Sequence, residues 1–113
     1  MKHKKHLKID YLCQDKIKTK KFGSYLRNLR IKNKLLLREL ASELGIDSAI
    51  LSKIERGERN ATKEQINKLC MVFPKETKKL KVLWLSYKIV AEIRNEEFPI
   101  EALKVAEGMV KYG

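Results

Sequence analysis

Cysteine, proline and glycine are all scarce here, at two, two and five residues in a chain of 113. Two cysteines cannot staple a fold. Cys13 and Cys70 also stand in no Cys-x-x-Cys or Cys/His spacing that suits zinc. No apolar run approaches the roughly 18 residues of a membrane helix. The basic start of the chain is not followed by the apolar segment of a secretory signal. Period-two alternation is missing over any useful length, so strands are not expected. Catalysis also lacks its means: no Gly-rich phosphate loop, no nucleophile with a matched base and no acidic metal cluster stand in the sequence. Glu96-Glu97 reads as a solvated helix end, and His3 and His6 as members of a lysine-rich, solvated start. A cytoplasmic, reduced, non-enzymatic protein with no metal, cofactor or membrane partner is expected.

Charge, by contrast, is plentiful and uneven. The net charge is +12. Residues 1–21 hold eight lysines against two aspartates, and residues 22–75 eleven lysines and arginines against six acids. Residues 76–113 hold seven against six. A polyanionic partner is therefore expected at the first two segments and not at the third. The three segments read as a basic arm or disordered extension (1–21), a compact domain (22–75) and a C-terminal helical hairpin (76–113).

Helical spacing dominates from Phe22 onward. Phe22, Tyr25, Leu26 and Leu29 follow the i, i+3, i+4, i+7 rule and predict a first helix to about Asn33. Second and third helices are predicted at about 37–44 and 48–56. A fourth opens with a capping box at Thr62-Lys63-Glu64-Gln65 and ends at Pro74, burying Ile66, Leu69, Cys70 and Phe73. A long fifth helix spans about 76–95, and a sixth starts with Pro99 in its first turn and runs to about Tyr112. The expectation is an all-α bundle of five to six helices.

The most specific stretch is Leu40 to Asn60. Leu40, Ala41 and Leu44 lie on one face of a short helix. Gly45 permits a sharp turn, Ile46 plugs the corner, and Asp47 is placed to cap a second helix that carries Leu51 and Ile54 inward. Two helices held this way push the start of the second into a DNA major groove. The stretch resembles the Xre/Cro/phage-repressor helix-turn-helix family over about residues 22–73. The landmarks are Leu29-Arg30, Glu39-Leu40-Ala41, Leu44-Gly45-Ile46, Leu51-Ser52-Lys53-Ile54-Glu55-Arg56-Gly57 and Arg59-Asn60.

The resemblance implies a repressor-like bundle and a partner, double-stranded DNA. It places Ser48, Ala49, Ser52 and Lys53 at base edges. Ser48 and Ala49 are too short for a bidentate contact, whereas Lys53 can reach a guanine O6/N7 pair and Ile50 or Ala49 a thymine methyl. Arg38, Arg59, Asn60, Thr62 and Lys63 match phosphate-gripping positions, which set register without reading sequence. Leu35-Leu36-Leu37 stand where relatives carry a Ser/Thr cap and a glutamine, so Arg38 must supply the side-chain clamp there. Arg30 and Glu55 match a structural ion pair that joins the first helix to the third.

Two apolar stripes run side by side on the fifth helix, and the sixth is similarly wide. Arcs of that width serve more than one contact surface. Leu80, Leu83, Trp84, Tyr87, Leu103 and Val110 are expected to form a homodimer interface. With the resemblance, this gives a homodimeric transcriptional regulator on a palindromic operator, of a kind that suits autoregulation in a restriction-modification or mobile-element cassette. The alternative is an antitoxin or adaptor subunit whose hairpin binds a second protein.

Overall fold

The computed structural model describes residues 18–113. The helices are α1 Lys18–Lys32, α2 Leu37–Leu44, α3 Ser48–Glu55, α4 Lys63–Val72, α5 Thr77–Ile93 and α6 Pro99–Tyr112. A 3₁₀ turn, Pro74–Glu76, precedes α5, and the described residues contain no strand. The all-α architecture expected from periodicity is present. α1 begins at Lys18 rather than Phe22 because lysine is a good helix former that leaves no mark in an apolar pattern. Most of the expected basic arm, positions 1–17, lies outside the described residues.

Helices α1 to α5 each turn an apolar stripe to one core. Leu26, Leu40, Leu44, Leu51, Ile54, Ile66, Leu69 and Leu80 are fully buried, joined by Phe22, Leu29, Cys70 and Phe73. Every such aliphatic side chain contributes roughly 1.5–3 kcal/mol by leaving water. Cys70 is a buried free thiol, as its place on the stripe predicts.

The first three helices stop in the same way. At the end of α2, Gly45 takes φ 69°. Its N–H then bonds to Ser42 O at 3.1 Å and that of Ile46 to Ala41 O at 3.0 Å. The pair satisfies carbonyls that would otherwise be orphaned. Gly57 closes α3 likewise, through Gly57 N to Ile54 O and Glu58 N to Lys53 O. Lys34 does so for α1 at φ 55°, a conformation that costs a side-chain-bearing residue about 1–2 kcal/mol.

α5 packs against α1 and α4. Leu80 is fully buried, and Leu83, Trp84 and Tyr87 pack against the core. The Tyr87 ring meets Phe22 edge to face, with centroids 6.2 Å apart. Trp84 Nε1 donates to Ala61 O at 2.7 Å. Expected at a dimer interface, these four residues lie on the stripe that closes the core left open by α1 and α4, Leu80 fully buried and the other three half-buried. The other stripe of α5, Val82, Leu85 and Ile89, faces outward. α6 follows after residues 94–98 and makes no extensive contact with any other helix. The hairpin thus exists as an order of elements, not as a packed pair. Leu103 and Val110 are both exposed, Val110 at 85%.

Candidate nucleic-acid interface

The outer face of α3 is set by what its inner face must bury. With Leu51, Ile54 and Glu55 directed inward, Ala49, Lys53 and Arg56 are left exposed and Ser52 half-exposed. These four positions follow i, i+3, i+4, i+7, a single stripe along the helix. Ser48 is half-exposed at the first position of α3. Ile50, expected as a base contact, is half-buried against the core and leaves the candidate set. Its position falls between the outward stripe and Leu51.

Arg56, to which the sequence pattern assigns no contact, extends the stripe by one turn. Its Nε and Nη2 donate to the two carboxylate oxygens of Glu58 at 2.9 and 3.2 Å, and Nη1 donates to Ser52 Oγ. The Glu58 bonds hold the Arg56 guanidinium above the usual arginine pKa. Ser52 Oγ thus accepts from Arg56, which ties the two residues of the stripe together. The signal was available: Ser52 and Arg56 stand at i, i+4.

Asp47 has the extended backbone of a helix cap (φ −71°, ψ 149°), but its side chain makes no cap hydrogen bond. α2 lacks a polar cap altogether. Its start is held instead by the Glu39 carboxylate, which accepts from Leu36 N at 2.7 Å. Leu35 and Leu37 pack on the core while Leu36 is 48% exposed. The far end of α2 is held by Lys68, whose Nζ donates to Leu44 O at 3.4 Å, a cation at a helix C-terminus.

The start of α4 is better closed. Thr62 Oγ1 accepts from Gln65 N at 3.1 Å, and Gln65 Oε1 from Thr62 N at 2.9 Å. Arg38, Arg59, Asn60, Thr62 and Lys63 are all exposed. The loop carrying Arg59 and Asn60 is pinned from behind, since buried Ala61 accepts the Trp84 hydrogen bond. A residue placed at a partner surface from sequence thus supports the loop next to the recognition helix.

Two contacts fix the pose of α3. Arg30 Nε and Nη2 donate to Glu55 at 2.7 and 3.0 Å, and Nη1 donates to Leu35 O at 3.1 Å. The side chains are 13% and 5% exposed. Hydrogen bonding to Glu55 raises the Arg30 pKa above the ordinary value. One guanidinium thereby joins α1, the turn before α2 and the end of α3. Beside it, α1 approaches α3 so closely at Gly23 that a Cβ there would lie 2.4 Å from Glu55 O and 2.5 Å from Ile54 O. A glycine inside a helical pattern reads as a weak point, and nothing local distinguishes it from a close approach.

In the middle of α1, between Gly23 and Arg30, the Tyr25 hydroxyl donates to Glu76. Burial first, and Glu76 second, push the Tyr25 pKa well above the tyrosine range. The described residues contain no group of three His, Cys, Asp or Glu that could hold a metal ion. No helix among them is long and apolar enough to cross a membrane.

Residues 26–80 match the helix-turn-helix family model. Neither a curated protein nor a solved structure matches the chain. The matched span runs from the middle of α1 through Leu80, so it takes in α2, α3, the pinned loop and the first turn of α5. With α2 and α3 joined at Gly45 and a solvent-facing stripe on α3, the geometry agrees with the match. Residues 26–80 of this chain are a helix-turn-helix domain of the Xre/Cro/phage-repressor kind, the kind found in DNA-binding transcription regulators.

Proposed function

We propose that the chain binds a palindromic operator as a homodimer and regulates transcription there, with α3 in the major groove. The observation that carries the reading is the outward stripe of α3, Ala49, Ser52, Lys53 and Arg56, flanked by the starts of α2 and α4 with Arg38, Arg59 and Lys63 exposed. Phosphate contacts from Arg38, Arg59, Asn60, Thr62 and Lys63 set the register. Lys53 and the half-exposed Ser52 hydroxyl supply the direct base contacts, few enough that DNA shape carries part of the specificity. Two copies would present their α3 helices one DNA turn apart, about 34 Å. Autoregulation within a restriction-modification or mobile-element cassette is the setting that the family resemblance favours.

Binding should weaken steeply with salt. A dimer neutralising on the order of 6–10 phosphates loses about 10³–10⁵ in affinity between 50 and 200 mM salt. Fluorescence anisotropy on duplex DNA measures this. A curve that stays flat across that range would remove the electrostatic basis of the proposal.

Lys53→Ala separates base reading from phosphate contact. If Lys53 reads a base, operator affinity drops by ~1–3 kcal/mol while binding to random duplex is nearly unchanged. Equal losses on both would make Lys53 a phosphate contact.

A second reading, an adaptor or antitoxin subunit that binds another protein through residues 76–113, rests on the exposed apolar surface of α6. Sedimentation of the isolated chain discriminates the two. A stable dimer supports the homodimer, and a monomer supports the adaptor.

A further inference from the structure

α6 is the feature that the DNA-binding site does not explain. It is a 14-residue helix with most of its side chains in solvent, Ile100, Leu103, Val105 and Met109 among them. A free helix this short is marginal in water and needs a tertiary surface to persist. Within the same chain a second apolar strip, Val82, Leu85 and Ile89 on α5, is also uncovered. The α5 strip, residues 82–89, rises about 10–11 Å along its helix, and the α6 strip, residues 100–110, about 15 Å, so α6 is long enough to cover it. Yet α6 does not lie on α5 of its own chain. Phe98, at φ 56° and ψ 48°, directs the chain out of α5 into α6 through a conformation rare for an aromatic residue.

We propose that α6 seats on the outer strip of α5 of a second copy, reciprocally, so that two helix exchanges build the dimer. This rests on the homodimer reading above and specifies which surfaces meet. A two-fold axis covers both strips of both chains at once, which a partner of different sequence would do only by supplying both complements.

Charge selects the pairing. Lys78 and Lys81 border the start of the α5 strip and Glu92 its end, so a parallel α5–α5 contact would bring lysines together across the axis. α6 carries Glu101 and Glu107 with Lys104 and Lys111, so it is neutral and offers carboxylates. Lys111 and Glu107 already pair at 3.6 Å on its polar side.

The test is cross-linking between differently marked full-length chains in a Cys13→Ser background, Cys70 being buried. One chain carries Leu85→Cys and the other Val105→Cys, and a short bismaleimide is added to each alone and to the mixture. The expected result is a covalent dimer at least tenfold more abundant in the mixture than in either single variant. Strong linkage in Leu85→Cys alone would show α5 against α5 and overturn the exchange while leaving the homodimer intact. A Leu85→Cys/Val105→Cys chain that links mainly within itself would place α6 on its own α5 and likewise overturn it. Unmarked chain that sediments as a monomer at micromolar concentration would overturn the homodimer reading itself. As an independent readout, Leu85→Glu should convert the dimer to a monomer whose far-UV helical signal falls by no more than the α6 share, and a variant that stays dimeric overturns the exchange.

Discussion

Arg30→Met alone is expected to lower unfolding free energy by about 3–5 kcal/mol, because it strands a buried carboxylate. Glu55 is the only polar or charged side chain in the buried set of the described residues. Its two oxygens receive both bonds from Arg30, which tie α3 to α1. Glu55→Leu should be costly for the converse reason, leaving a guanidinium with only Leu35 O as acceptor. Replacing both, Arg30→Met with Glu55→Leu, removes the desolvated charges together and should recover most of the loss. Urea denaturation of the four proteins yields the coupling energy, expected at ~2 kcal/mol or more. The Leu35 contact is lost in both Arg30→Met backgrounds and cancels in the cycle. Additive single costs would show that the two residues stabilise the fold independently. Operator affinity adds a second readout, since α3 keeps its sequence in Arg30→Met but loses the clamp that aims it.

What the sequence disclosed follows from which forces are local. The stop at Gly45, the capping box at Thr62 and the start of α6 at Pro99 are set by residues within one turn of each other, and each stands where the pattern predicts. The Arg30 and Glu55 positions were legible through the family resemblance, since 25 residues separate them. The two stripes of α5 were legible as stripes. Periodicity measures the width of an apolar arc but carries no information about which part of it meets the same chain. Trp84 and Tyr87 were therefore assigned outward, although the gap between α1 and α4 takes them. Ile50 was misplaced for a related reason: one residue on a helix rotates by about 100°, enough to separate a base contact from a core contact. Arg56 was missed because its charge reads as ordinary solvation until its bonds to Glu58 and Ser52 are seen.

The same substitution should have opposite signs at two glycines. Gly108 lies within α6, and a Cβ built there meets nothing within 4 Å. Gly108→Ala should therefore stabilise its helix by about 0.5–1 kcal/mol, the ordinary gain from removing an interior glycine. At Gly23 the same gain is available, but the new methyl would sit 2.4 to 2.8 Å from three backbone atoms of Ile54 and Glu55. Backbone cannot rotate aside as a side chain does, so α1 and α3 must separate. Overpacking of a close-packed contact typically costs 1–3 kcal/mol, and here the upper end is expected, about 3 kcal/mol, partly offset by helix propensity. Separation also stretches the Arg30–Glu55 bonds, two turns along α1, and tilts α3 relative to α2. Gly23→Ala should thus lose operator affinity even at temperatures where it remains folded, while Gly108→Ala retains it. Thermal melts followed by circular dichroism, with anisotropy on operator DNA below the transition, measure both effects. A Gly23→Ala protein as stable as the wild type and equally tight on its operator would show that α1 and α3 do not meet at this glycine in solution.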